Sequence, residues 1–206
     1  MKPAKSSGKP AGKTPVHKSG NGRAPAGMRI IAGQWRGRRL VAPAGDSTRP
    51  TADRARETLF SMLTSRLGGF TDLRVADLFA GSGALGLEAL SRGAASCLFV
   101  ENDRAASAAI DTNIAALSAS GATLRHGSAL SPATMAEPFD LILIDPPYAQ
   151  ENVGALLDLL VDKGWTGPAT IITIETGSPV APLATKLELL VSRGAGKAQL
   201  HIFRPL

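Results

Sequence analysis

Cysteine, histidine and aromatic residues are scarce in this chain, and so are long apolar runs. Cys97 is the only cysteine among 206 residues, which excludes a disulfide within the chain. Its place inside the apolar run CLFV marks it as a small buried hydrophobe of a reducing cytoplasm. The three histidines, His17, His126 and His201, are scattered and cluster with no cysteine, so no metal site is expected. No apolar run approaches the roughly 20 residues of a membrane span. The charged N-terminus also lacks the apolar segment of a secretory signal.

Acidic residues are missing from one stretch altogether. Residues 1–27 hold six basic side chains and no acidic one. Residues 28–66 hold eight arginines against three acidic residues, whereas residues 67–206 carry nine basic and fourteen acidic side chains. The net charge of +6 is therefore polarised, with a basic front on a mildly acidic body. Such a front favours a polyanionic partner, nucleic acid above all.

The order of segments divides the chain in three. Residues 1–27, built from Lys, Gly, Ala, Pro and Ser without periodicity, read as a disordered basic tail. Residues 28–68 read as an extension: MRIIAG and RRLVAP form a β-hairpin across GQWRG, and a helix follows DSTRP with Thr51 as its N-cap. On that helix Ala55, Leu59, Met62, Leu63 and Leu67 keep helical spacing, and Arg54 and Arg56 fall outside the stripe. Residues 69–206 alternate strand and helix. RVADLF, SCLFVE, ATLRHG, FDLILID and ATIITIET read as strands, and the end, KLELLVSRGAGKAQLHIFR, reads as an antiparallel hairpin. The fold class is α/β, a mostly parallel sheet covered by helices on both faces, with ligands bound at the C-terminal strand ends.

Two motifs fall at such ends. The first, Asp77-Leu-Phe79-Ala80-Gly81-Ser82-Gly83-Ala-Leu-Gly86, follows one strand and opens a helix. Gly81 and Gly83 let backbone N–H groups approach a ligand at a helix N-terminus. Glu101 ends the next strand, where a ribose-binding acid would lie. Asp77, four residues before the first glycine, can accept from an ammonium group and would repel a pyrophosphate, which disfavours a nicotinamide dinucleotide. The second motif is LILIDPPY, in which Asp145, Pro146, Pro147 and Tyr148 close the apolar run LILI.

D-x-F-x-G-x-G with an acid after the second strand resembles the S-adenosylmethionine loop of Rossmann-like class I methyltransferases. [D/N]-P-P-[Y/F/W] ends the fourth strand of those that methylate exocyclic amines of bases. In such enzymes Asp145 and the Pro146 carbonyl would accept from the target NH₂ and turn its lone pair toward the sulfonium methyl. Pro147 would rigidify the turn, and Tyr148 would offer a stacking face to a flipped base. MRIIAGQWRGRRLVAP, RPTADRARETLFSML, DLFAGSGALGLEALSRGA and FDLILIDPPY together resemble the bacterial small-subunit rRNA guanine-N2 methyltransferase family, RsmD, over residues 28–206.

The resemblance implies S-adenosylmethionine as cofactor, held by Asp77, Phe79, Ala80, Gly81, Ser82, Gly83, Glu101 and Asn102. It implies 16S rRNA in the 30S subunit or its assembly intermediate as partner, and a monomeric cytoplasmic enzyme without metal. Arg29, Trp35, Arg36, Arg38, Arg39, Arg49 and Arg54 would contact the RNA. One departure stands out. Where many methyltransferases place Asp or Asn against the adenine, this chain has Ser128 and Ala129, whose backbone would take over. A DNA adenine-N6 methyltransferase and a non-catalytic RNA-binding assembly factor are the alternatives. The first lacks room for a recognition domain, and the intact motifs speak against the second.

Overall fold

The structure, a computed structural model, describes Met1 and residues 28–43, 50–147 and 152–206. The expected tail, the DST part of the DSTRP loop, Arg49 and Tyr148 lie outside the described residues. Helix α1 (Pro50–Leu67) leads into β1 (Arg74–Leu78), α2 (Ala84–Ser91), β2 (Ser96–Glu101), α3 (Arg104–Leu117) and β3 (Ala122–His126). Then come β4 (Phe139–Ile144), α4 (Val153–Asp162), β5 (Thr166–Thr176), β6 (Leu187–Ala195) and β7 (Ala198–Pro205). The seven strands form one sheet in the order β3-β2-β1-β4-β5-β7-β6. Strands β1 to β5 run parallel, and β7 and β6 are antiparallel.

Period-2 alternation splits the core in two. Val75, Leu141 and Leu143 face a layer that includes Leu59, Phe60, Leu63, Leu87 and Ile110 from α1, α2 and α3. Ala76, Leu78, Ile142 and Ile144 face the opposite layer, with Leu156, Leu157 and Leu160 of α4 and the fully buried Trp165. Both faces are thus covered, which is why Leu141–Ile144 of β4 can be continuously apolar.

Most boundaries follow local chemistry. Asp103 caps α3 by accepting from the Ala106 N–H at 2.8 Å. β1 stops at Leu78 because Phe79 adopts φ +58°. α1 starts at Pro50, one residue before the expected cap Thr51, in keeping with proline's preference for the first helical turn.

The front extension departs further from a regular hairpin. Arg29 and Arg39 form one antiparallel bridge, supported by Ile30 N–H to Arg38 O and Leu40 N–H to Met28 O, both 2.9 Å. The ribbon is otherwise pinned by side chains of α2 and α3. Glu88, fully buried, accepts from the N–H groups of Ile31 at 2.7 Å and Ala32 at 3.0 Å, and from Arg92 Nε at 2.7 Å. Ser91 Oγ accepts from Trp35 N–H and donates to Ala32 O. At Gly33, φ +83°, an added Cβ would lie 1.8 Å from Ser91 O, so the two backbones touch.

Arg56 is the other surprise. Outside the apolar stripe, it is nevertheless 6% exposed and donates to Arg29 O at 2.7 Å and Asp53 Oδ1 at 2.9 Å. Burial lowers its pKa, and the Asp53 and Glu88 carboxylates oppose that. The guanidinium thus fastens α1 to the ribbon.

Candidate active site

Strand order reverses between β1 and β4, so the loops leaving these neighbours diverge and open a crevice. Register makes the two motifs adjacent. Leu78 pairs with Ile144, the last residues of their strands, and Asp145 N–H points to Leu78 O at 3.4 Å. The glycine loop and Asp145-Pro146 therefore begin side by side, about 5 Å apart by the ordinary strand spacing. Asp145 and Pro147 are exposed, and Pro146 is buried between them.

The glycine loop is wound by three left-handed residues, Phe79 (φ +58°), Gly81 (+56°) and Gly83 (+77°). A Cβ on Gly81 would find no atom nearer than Phe79 O at 4.0 Å, so that backbone is open to close approach. Gly86 differs: a Cβ there would meet Phe99 Cε1 at 2.4 Å and Cys97 Sγ at 2.5 Å, so it sets how closely α2 lies on the sheet. Asp77, 1% exposed, accepts from the Gly86 N–H at 2.8 Å through Oδ2, and its Oδ1 is buried without a hydrogen-bond partner.

Glu101, 8% exposed, receives Asn102 and Asp103 N–H on Oε1 and Gly81 N–H on Oε2, each at 2.8 Å. A carboxylate offers about four lone-pair sites, which leaves one for a hydroxyl. Asn102 is exposed beside it. A cavity of about 130 Å³ is lined by Leu78, Val100, Ser128, Ala129, Pro132 and Trp165, among others, at the C-terminal ends of β1, β2 and β3. Ser128 turns its hydroxyl to the Leu130 N–H at 3.2 Å, and Ala129 is buried.

These residues fit the methyl donor that the motifs imply. The orphaned Asp77 Oδ1 is an acceptor for an ammonium, the free site on Glu101 suits a ribose hydroxyl, and the small cavity suits a flat ring. Burial holds the Asp77 carboxyl well above the usual carboxylate range; the Gly86 N–H opposes this, and Asp145 and Glu101 add to it. A carboxyl raised in this way stabilises the fold while protonated and loses that contribution as pH rises through its folded value. Asp77→Asn cannot ionise, so its stability relative to the wild type is expected to grow as pH climbs from about 4, the ordinary aspartate value, through the neutral range. The same variant binds S-adenosylmethionine more weakly, because its amide nitrogen takes the place of Oδ1. Thermal unfolding across that range checks the first effect; a constant difference would mean that Asp77 ionises as an ordinary carboxyl.

The residues of the front expected to meet RNA fall into two groups, the exposed arginines and Trp35. Arg29, Arg36, Arg38, Arg39 and Arg54 are exposed. Arg29 and Arg36 line a cavity of about 220 Å³ with Asp53 and Glu57, and Arg38 donates to Ala116 O at 2.6 Å. Trp35 lies elsewhere. Half-buried against the core, it lines a depression with Leu90, Ala94, Leu117 and Gly121, at the starts of β2 and β3. That is the end of the sheet opposite Asp145, roughly five strand residues or 15–20 Å away. Trp35 seats the ribbon tip there.

Motif reading missed Glu88, Ser91, Arg56 and Asn113. Asn113 carried a signal, since it interrupts the apolar spacing Ile110–Leu117 on α3. Among the described residues, no group of three or more His, Cys, Asp or Glu side chains is placed to hold a metal ion.

Comparison with known proteins gives concordant matches. The family model described as conserved hypothetical protein 95 matches residues 28–204. Ribosomal RNA small subunit methyltransferase D of Escherichia coli K12 is 42% identical over 175 residues, covering 82% of this chain and 84% of that protein. Its Haemophilus influenzae namesake is 36% identical over 154 residues, covering 72% and 78%. A solved Escherichia coli structure described as a methyltransferase, yhhF, superposes with a TM-score of 0.75 at 37% identity, covering 86% of this chain and 97% of that one.

Proposed function

This chain belongs to the conserved hypothetical protein 95 family, that of the RsmD ribosomal RNA methyltransferases, and has their Rossmann-like class I fold; from that premise we propose its reaction. It transfers a methyl group from S-adenosylmethionine to the exocyclic N2 of one guanine in small-subunit rRNA, acting as a monomer on the 30S particle or its assembly intermediate. The β1/β4 register carries this reading, because it sets an amine-orienting Asp-Pro beside a methyl-donor loop.

When bound, the cofactor supplies an electrophilic methyl on a sulfonium. Transfer leaves S-adenosylhomocysteine, and the proton that the methylated nitrogen must shed passes to Asp145 or to water; the rest is positioning by this chain. An aryl amine is a poor nucleophile, since its lone pair is delocalised into the ring. Asp145 and the Pro146 carbonyl accept its two N–H bonds and aim the lone pair. Proline has no N–H to compete there. The Tyr148 ring supports the extruded base. The Asp77, Glu101 and Gly81–Gly83 groups hold the donor, with Ser128 and Ala129 at its adenine. Arg29, Arg36, Arg38, Arg39, Arg49 and Arg54 hold the RNA backbone, where loss of any one weakens binding without changing which base is read.

A tritium-transfer assay tests this. Labelled S-adenosylmethionine is given to 30S subunits from a strain lacking the gene, with genomic DNA in parallel. Label recovered as N2-methylguanosine in the 30S fraction is the expected result. Methyladenine in DNA would overturn the substrate assignment, and no label despite cofactor binding, across assembly states, would favour a non-catalytic factor.

A further inference from the structure

We propose that Asn113 is a positioning residue through which RNA held on the arginine ribbon tightens the grip of the glycine loop on the cofactor. The inference rests on the RNA reading above and deepens it.

Asn113 is 1% exposed on α3. Its Oδ1 accepts from Val41 N–H at 2.8 Å, which fixes the orientation of the amide. Its Nδ2 donates to Val41 O and to Ser82 O, both at 2.9 Å. Both N–H bonds are used, and no solvent reaches the amide to replace either partner. One side chain thus ties the second arm of the ribbon to the middle of the glycine loop. The first arm has its own tie, Ser82 Oγ to Met28 Sδ at 3.0 Å. Ser82 is the residue on which both arms converge.

The outward face of those arms is basic. Arg29 follows Met28 directly, and Arg39 lies two residues before Val41. The two arginines oppose each other across the single bridge. Like charges directly opposite on paired strands repel, and a short ladder of three backbone hydrogen bonds, Ile30 N–H to Arg38 O, Leu40 N–H to Met28 O and Gly37 N–H to Ile30 O, holds the arms against that repulsion. A phosphate between the guanidiniums reverses it and draws the arms together. The change arises within two residues, about 7 Å of extended chain, of the bonds that hold Ser82. Whatever steadies the ribbon therefore steadies the Ser82 carbonyl, and with it the Gly81–Gly83 turn. By linkage the effect is reciprocal: a filled cofactor loop favours the RNA-competent ribbon.

The test measures affinity for S-adenosylhomocysteine, which allows no turnover, with and without saturating 30S subunits from a strain lacking the gene. In the wild type RNA is expected to tighten the ligand at least about fivefold, and the ligand to tighten RNA by the same factor. In Asn113→Leu both ligands still bind, more weakly, and the ratio falls to one. Val41→Pro removes the Val41 N–H from the surface side without touching α3, and lowers the ratio in the same direction; it decides the matter should the leucine variant not fold. RNA binding to the wild type with a ratio of one would overturn the coupling alone. A folded Asn113→Leu protein that keeps the wild-type ratio would overturn the role of Asn113. No RNA binding at all would overturn the RNA reading and the coupling with it.

Discussion

Asp145→Ala is expected to lower the rate of methyl transfer by about 10²–10⁴-fold, the range for a positioned acceptor at a reacting centre, and to leave cofactor affinity nearly intact. The separation of effects follows from the register. Asp145 stands at the mouth of the crevice and is exposed, whereas the residues assigned to the cofactor lie along β1, β2 and the loop behind it. One effect does cross between them. Burial is the main cause that raises the Asp77 carboxyl and Asp145 adds to it, so removing Asp145 relaxes that shift in part. Asp145→Asn keeps one acceptor oxygen but can present an N–H to the amine, and should fall between the two. Single-turnover rates and S-adenosylhomocysteine titrations separate these outcomes. A large loss of ligand affinity in Asp145→Ala would assign this residue to the cofactor pocket instead.

Glu88→Ala carries the largest expected cost in stability. The carboxylate is fully buried and serves Ile31 N–H, Ala32 N–H and Arg92 Nε together. Truncation strands two backbone donors and leaves the Arg92 cation without its ion pair. Breaking a buried charged network in this way costs about 3–5 kcal/mol. At roughly 2–4 °C per kcal/mol for a chain of this size, the melting temperature should drop by about 6–20 °C. Glu88→Gln rescues only part, because its single acceptor oxygen cannot serve both Ile31 and Ala32, which bond to different oxygens of the native carboxylate. Differential scanning calorimetry reads the first effect. Faster tryptic cleavage among Arg36, Arg38 and Arg39 reads the release of the ribbon. Unchanged cleavage beside a lowered melting temperature would mean that the ribbon stays docked through Ser91 and Asn113.

What could be read in advance was whatever local chemistry decides. Apolar runs such as CLFV and LILI between glycine-stopped helices imply a covered parallel sheet, and the sheet is there. The two motifs at strand ends needed only the strand order to bring them together, and β1 and β4 are neighbours. Contacts set by tertiary packing were not legible. Nothing about Glu88 in ALGLEALS distinguishes it from a solvated helix residue until the ribbon is laid across it. Arg56 sits off the apolar stripe of α1, yet a buried carbonyl and Asp53 await it. Trp35 reads as an RNA contact because it stands at a turn among arginines, and its packing beside Leu90 and Leu117 does not show in the sequence. The ribbon runs toward the far end of the sheet, and that direction is set by Ser91 and Asn113, not by residues near the tryptophan.

The docking of the ribbon also imposes an order of events on synthesis. Its anchors are distant in the chain: Glu88 lies 57 residues beyond Ile31, Asn113 72 beyond Val41, and the Ala116 carbonyl 78 beyond Arg38. None of these bonds can form before the partner helix has been made. At 5–20 residues per second the arginine segment therefore waits roughly 4–16 s after its own translation before α3 exists to receive it. The earliest-made basic segment of the described chain thus cannot dock until both helices beside the glycine loop are complete.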